Sequence, residues 1–292
     1  MGGMLGESKF EVLSKVPDGV RPKTILIKQG ENFSDILLAV RSAGFSFPVI
    51  AKPDFGERGL MVRKINNAVD LGLYSEKYKY DFLIQDFIDL PLEFGVFYIR
   101  FPDKENGEVT SITGKEMLFV KGNGKSTLKD LILEKDRARL QWDVLKKKFE
   151  SRLNDIIPSG EYVELVSVGN HCLGTTFLNR NDLISKKLSE TFDRISKQID
   201  GFYFGRFDLR TASEANLENG EFIVMELNGC GAEPSHIYHP GSSLWSAYSG
   251  LFRHWKDMYT VSRMNHRKGT PYLSFAEARN IYTEFKTRNT LQ

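Results

Sequence analysis

The chain has 292 residues, 40 of them Lys or Arg and 38 Asp or Glu, for a net charge of +2; 41% are apolar and 27% charged. That is the make-up of a globular chain with a sizeable core, enough for one large domain or two ordinary ones. It lacks the basic excess of an obligate nucleic-acid binder, and no apolar run approaches the length needed to span a bilayer, so neither nucleic acid nor a membrane is expected as a partner. The opening MGGMLGESKF lacks the basic-then-apolar order of a signal peptide. Cys172 and Cys230 are too few for a disulfide framework, so a reducing cytoplasm is the expected compartment.

Residues 20–28, VRPKTILIK, alternate as a strand does. Ser34 is placed to cap a helix whose Ile36, Leu37 and Val40 share a face, with Gly44 just past its end. FPVIAKP is a short apolar strand closed by Lys52 and stopped by Pro53. The turn DFGERG, with Gly56 and Gly59, leads into a returning strand, LMVRKI. NNAVDLGLYSEKY reads as a helix. FLIQDFIDL reads as a strand running into a linker, where Pro91 marks a boundary between a small lobe and a larger one. FGVFYIRFPD and VTSITGKEMLFV form an antiparallel pair around Asn106-Gly107. A charged, mostly helical stretch covers 129–149. EYVELVSVG and GFYFGRFDLRT are strands flanking a helix near 183–198, and EFIVMELN is a third strand whose apolar run fits deep burial. Helices near 242–259 and 274–286 close the chain. Strands and helices mixed with hairpins argue for an α+β fold rather than a doubly wound sheet.

Two strand ends carry candidate chemistry. GRFD places Arg206 and Asp208 two apart, and MELN does the same for Glu226 and Asn228, so each pair points to one face of its strand. Two carboxylates and an amide oxygen are hard ligands suited to Mg²⁺, with phosphate oxygens completing the shell. Taken singly, either pair is better read as solvent-facing residues of a half-buried sheet. Together, with Asn228 entering the glycine-rich turn GCGAEPSH, they read as a site. Residues 120–127, VKGNGKST, spell like a phosphate loop, but the glycine needed five residues before Gly124 is Phe119. The stretch reads instead as a tight turn, Gly122-Asn123-Gly124, before a helix capped by Ser126 or Thr127.

In order along nearly the whole chain, FPVIAKPDFGERG, FLIQDFIDLPLEFGV, GFYFGRFDLR and VMELNGCGAEPSH resemble the ATP-grasp superfamily, and within it the D-alanine–D-alanine ligase-like carboxylate–amine ligases. VKGNGKST is similar to a segment of cyanophycin synthetase-type members. The resemblance implies an ATP-grasp fold in which ATP lies between two antiparallel sheets. Residues 1–22 would be an N-terminal remnant or linker, 23–90 the small lobe with a phosphate flap, and 91–292 the large lobe with the metal site. It implies Lys52 on the nucleotide phosphates, with the flap 54–59 over them. There Gly56 and Gly59 would let backbone N–H groups approach, and Arg58 would add charge. Gln85, Asp86, Phe87 and Ile88 match the hinge at the adenine edge, and Glu93 the carboxylate that bonds the ribose hydroxyls. Relatives often carry an acidic residue at the position of Gln85, a departure that backbone reading of adenine tolerates. Asp208, Glu226 and Asn228 match the ligands of two Mg²⁺ ions, with Glu226 bridging. Arg206 matches the arginine that steadies the anionic intermediate. Lys115 and Lys121 are further candidates to reach phosphates, and Lys9 matches an earlier phosphate lysine at a shorter spacing than expected. Gly231, Glu233 and His236 fall on the substrate side.

The implied reaction joins a carboxylate and an amine, each an amino acid or peptide, through an acyl phosphate, with no covalent link to the protein; a homodimer is one expected arrangement. Relatives carry a further N-terminal domain that has no counterpart before Lys23. The glycine-rich start reads as a truncation, which would put activity in doubt and leave ATP binding. Two other readings stay open. One is a nucleotide-binding module without ligase turnover, serving regulation or partner binding. The other is a zinc hydrolase built on Glu233, His236 and His239, against which the three-residue histidine spacing and Pro234 count. Cys230 reads as a small residue in a tight turn rather than a nucleophile. Lys146, Lys147 and Lys148 read as a solvated helix face, and Phe202, Tyr203 and Phe204 as core.

Overall fold

The computed structural model describes residues 6–56, 59, 61–166, 169 and 171–290, the side chains of 172 and 287–290 excepted. The chain separates into two units, Met1–Gly114 with Asn179–Gln292, and Lys115–Leu178. In the first unit, Ser8 caps a short helix, α1 (Lys9–Ser14), by accepting from the Glu11 amide. Its Val12 and Leu13 are buried in the core, so this part of the expected remnant or linker is packed structure. Strand β1 (Thr24–Ile27) is followed by α2 (Phe33–Ser42). Asn32, not Ser34, caps α2, accepting from the Asp35 amide at 3.0 Å; Ser34 already lies in the first turn. Strand β2 (Val49–Pro53) takes in Pro53 as its last residue, and β3 (Arg63–Ile65) is shorter than the returning strand expected from LMVRKI. After α3 (Ala68–Lys77), capped by Asn67, comes β4 (Phe82–Asp86). The strands form an antiparallel sheet in the order β1-β4-β2-β3. Ile36 and Val40 of α2 and Leu71 and Tyr74 of α3 pack on Val49, Ala51 and Ile84 of the sheet. Each such burial is worth about 1.5–3 kcal/mol, which ties the strand carrying Lys52 to its helices.

Strands β5 (Leu92–Ile99) and β6 (Glu108–Glu116) are joined through residues 100–107, a longer connection than a tight turn at Asn106-Gly107. In the second unit, β7 (Phe119–Lys121) pairs antiparallel with a later strand. Then come three helices where one charged stretch was expected: α4 (Leu128–Glu134), α5 (Asp136–Arg139) and α6 (Trp142–Lys148). Thr127 caps α4 in a reciprocal arrangement with Asp130, as its sequence position suggests. Strand β8 (Tyr162–Glu164) is the partner of β7. The core of this unit is formed by Leu128, Ile132, Leu145, Ile157 and Val163. Lys146, Lys147 and Lys148 are exposed, as expected. Strand β9 (Thr176–Asn179) leads back to the first unit.

There, α7 (Lys186–Ser196), β10 (Phe204–Thr211), α8 (Glu214–Asn219), β11 (Phe222–Asn228), α9 (Leu244–Arg267) and α10 (Phe275–Thr290) follow. Within this unit the strands lie in the order β11-β10-β5-β6, with β10 antiparallel to both neighbours. One face buries Phe94, Val96, Tyr98, Phe207, Leu209 and Val224 against Phe192 of α7. Phe202 and Phe204 are core residues, as expected. The alternation that sends these side chains inward turns Glu93, Arg206, Asp208, Arg210, Glu226 and Asn228 to the other face. This polar row is continued at one end by Phe97 and Phe204, which meet His254 of α9.

Candidate functional site

Register brings the two sequence pairs together: Arg206 lies opposite Asn228, and Asp208 opposite Glu226. Arg206 grips Asp208 through Nε to Oδ1 and Nη2 to Oδ2, both 3.0 Å. Asn228 donates Nδ2 to Asp208 Oδ2 at 3.0 Å. Burial opposes the charge of Arg206, and the carboxylate of Asp208 beside it more than offsets this, holding the guanidinium's pKa above its ordinary value. Opposite Asp208 on β5 stands Gly95. A Cβ there would lie 3.1 Å from both Arg206 Cδ and Asp208 Oδ1, so glycine leaves the room that the pair occupies.

The ladder then slips. Asp208 faces Glu226 but Leu209 faces Val224, so Met225 is bulged out of register. Bulges re-aim groups beside sites, and here the Met225 carbonyl accepts from Lys52 Nζ at 3.1 Å. Lys52 Nζ also donates to Gln85 Oε1 at 3.1 Å, and Gln85 Nε2 donates to Thr24 Oγ1 at the same distance. Burial lowers the Lys52 ammonium to about 8, the Glu226 carboxylate opposing that shift and the Lys9 charge adding to it. Further along the polar row, Glu93 accepts from Arg210 Nε at 3.0 Å, and Arg210 Nη1 donates to the Ile88 carbonyl at 3.1 Å. Glu93 and Ile88, the last residue of the expected hinge, are thereby fixed to β10. Asp86 ends β4, its amide donating to the Lys23 carbonyl, and the Phe87 ring carries the Lys64 ammonium 3.8 Å from its centroid.

The start of the segment expected to form the flap, Asp54 to Gly56, is anchored from the N-terminal side. Asp54, 2% exposed, accepts from Ser8 Oγ and from the Phe10 amide, both at 2.9 Å. The Lys9 amide donates to the Asp54 carbonyl at 3.0 Å and its ammonium to the Gly56 carbonyl. Gly56 and Gly59 have φ of 133° and 69°, backbone that favours glycine. Arg58 lies outside the described residues.

On the other side, Arg206 Nη1 reaches the loop after β11, donating to the Glu233 carbonyl at 3.0 Å and to Ser235 Oγ at 2.8 Å. Gly231 and Glu233 are exposed, and the Glu233 carboxylate accepts from Tyr238 at 2.6 Å. His236 is half-buried, and burial keeps its imidazole pKa low. His239 Nδ1 accepts from the Asn179 amide. Among the described residues no three His, Cys, Asp or Glu side chains form a group that could hold a metal, so the zinc constellation is not assembled. Burial, with the Glu7 carboxylate second, raises the Cys230 thiol, consistent with an unreactive turn residue.

Lys115 and Lys121 belong to the second unit, where Lys121 is exposed and its ammonium lies over the Tyr162 ring at 5.2 Å. VKGNGKST forms a turn in which Gly124 has a φ of 75°; a Cβ at Gly122 would meet the Pro158 carbonyl at 2.1 Å. Two concavities in the first unit, of about 560 Å³ along Phe275 and Arg279 and about 290 Å³ between Asp182 and Leu217, hold none of the candidate residues. Ser235 and Arg210 are not among the expected site residues, and Asp54, expected only as the first residue of the flap, proves to be its anchor to α1. Arg210 extends the alternation Arg206-Asp208, and Asp54 directly follows Lys52-Pro53, which are the signals that point to them.

No protein-family model matches the chain, and no curated protein matches it. Among solved structures, it is similar to a bifunctional glutathione synthetase from Pasteurella multocida, with 16% identity and a TM-score of 0.41 over 85% of this chain and 35% of that one. It is similar to the VanG D-Ala:D-Ser ligase from Enterococcus faecalis, with 11% identity and a TM-score of 0.47 over 88% of this chain and 61% of that one. For the D-alanine–D-alanine ligase from Bacillus anthracis the identity is 14% and the TM-score 0.46, over 90% of this chain and 69% of that one. The chain thus spans less than two thirds of the first two of these proteins.

Proposed function

We propose that the chain is an ATP- and Mg²⁺-dependent carboxylate–amine ligase of the ATP-grasp type. The observation that carries the reading is the meeting of Lys52 with the strand of the acidic row, through the bulged Met225 carbonyl one residue before Glu226. A cation from one sheet beside two carboxylates and an amide from the other is what a Mg-bound polyphosphate requires.

The donor set fits the ion: Asp208, Glu226 and Asn228 offer hard oxygens from paired strands, and they would hold Mg²⁺ with phosphate oxygens completing the shell. When bound, the ion supplies charge neutralisation on the phosphates. Lys52 contributes a further positive charge, and Gln85, a neutral partner, leaves that charge available for phosphate. Arg206, freed from Asp208, offers its planar fork to the anion formed as the amine attacks. The glycine flap, anchored by Asp54, excludes water that would hydrolyse the intermediate. In the proposed reaction the substrate carboxylate oxygen bonds to the γ-phosphorus while the bond to ADP breaks. The amine nitrogen then bonds to the acyl carbon, phosphate leaves, and the nitrogen loses a proton. Amino acids or peptides are the proposed substrates.

ADP release measured with and without a panel of amino acids and dipeptides tests this reading. Release that depends on both an amine and Mg²⁺ is expected. Tight ATP binding with no turnover on any pair would instead make the chain a nucleotide-binding module.

A further inference from the structure

Helix α9 has 24 residues, yet only His254 and Val261 are buried. Trp245, Tyr248, Phe252, Trp255 and Tyr259 recur in alternating steps of three and four, which lines them along one side of a helix. They are 81%, 57%, 65%, 51% and 61% exposed, and Leu244 beside them is 78% exposed. An exposed aromatic strip of this extent marks an interaction surface. Exposed bases, Lys256 and Arg263 with Arg267 a turn further on, border the strip along one edge. The two rows share a side of the helix, since the Arg263 guanidinium lies over the Tyr259 ring at 5.6 Å. Asp257 is the one acid in the helix sequence.

We propose, against the expectation from the sequence that no membrane is a partner, that this face of α9 docks flat on an anionic lipid surface. Trp and Tyr have an apolar body and a polar tip, which suits the boundary between headgroups and acyl chains. The bordering Lys and Arg meet the negative headgroups, each worth about fivefold in partitioning. Such a helix lies in the interface rather than crossing it, and no helix among the described residues is long and apolar enough to cross. A second copy fits less well. Facing two such strips sets basic rows beside each other with one acid apiece, without the opposite charges that border paired helices.

Flotation of the purified chain with vesicles of phosphatidylcholine alone, and of phosphatidylcholine mixed with phosphatidylserine, tests the proposal. Binding to the mixed vesicles only, weakened by salt and accompanied by a blue shift of tryptophan emission, is the expected result. Lys256→Gln and Arg263→Gln should each weaken it about fivefold, and Trp255→Ser should weaken it further. These side chains are exposed, so the thermal midpoint should stay unchanged and separate lost docking from lost folding. No binding to the mixed vesicles, or equal binding to both kinds, overturns the proposal. So does a dimer in solution that Trp255→Ser dissociates, which would give the face to a second copy.

Discussion

Arg206 and Asp208, two positions apart on β10, form a two-pronged ion pair with both contacts at 3.0 Å. The Asp208 side chain is 7% exposed and that of Arg206 19%. Removing one member leaves the other's buried charge uncompensated, a loss of about 3 kcal/mol. Asp208→Ala is therefore expected to lower the unfolding free energy by about that amount in urea titration. Asp208→Asn, which keeps the shape and some hydrogen bonding, should cost less. Both should abolish Mg²⁺-dependent ATP binding in calorimetry, and retention of that dependence would remove Asp208 from the metal set.

Lys52 sets a pH dependence. Its folded value, about 8, lies below the ordinary 10.5 because of burial. Below pH 8 both folded and unfolded chains hold the proton, so folding bears the full cost of burying the charge. Between 8 and 10.5 the unfolded chain holds more protons, and stability rises with pH. Affinity for nucleotide phosphates should run the other way and fall as pH passes 8. Gln85→Glu places a carboxylate in contact with the ammonium and should raise its pKa by about 1–3 units. An NMR titration of the lysine side chain measures this directly, and an unmoved titration would refute the pairing.

Gly95→Ala probes the space beneath the ion pair. The new methyl would stand 3.1 Å from both Arg206 Cδ and Asp208 Oδ1. Overpacking of this kind costs about 1–3 kcal/mol. The thermal midpoint should fall and Mg²⁺-dependent ATP affinity with it, whereas Gly19→Ala, with open space around its Cβ position and no left-handed backbone to strain, should leave that affinity unchanged.

Asp54 ties the start of the proposed flap to α1 and its cap. Asp54→Ala strands the Ser8 hydroxyl and the Phe10 amide, both now at 2.9 Å from its carboxylate, for a loss of about 2–3 kcal/mol. Ser8→Ala should cost about 1 kcal/mol, since it removes one of these bonds and the cap of α1. Limited proteolysis should cut faster within 54–62 in both variants. Unchanged cleavage would mean that α1 does not hold the flap.

Local chemistry explains what the sequence reveals and what it conceals. The α+β class follows from the spacing of apolar residues, and Thr127 from its place before LKDLI. The cap of α2 is misplaced because Asn32 and Ser34 are both capping types, and only the path of the chain selects between them. Helix α8 is bracketed by Ser213 and by Gly220 with a φ of 84°, a start and a stop that the motif reading passes over. Strand β9, four residues long, is too brief for its alternation to stand out.

By itself, the sequence determined that Arg206, Asp208 and Arg210 share a face, as do Glu226 and Asn228, because a strand's two-residue period is a local property. Only the tertiary structure decided that these faces meet, that Met225 bulges to offer its carbonyl to Lys52, 173 positions away, and that Ser8 anchors Asp54 across 46 positions. Register and contact between distant segments depend on how whole elements pack, and no local period encodes that.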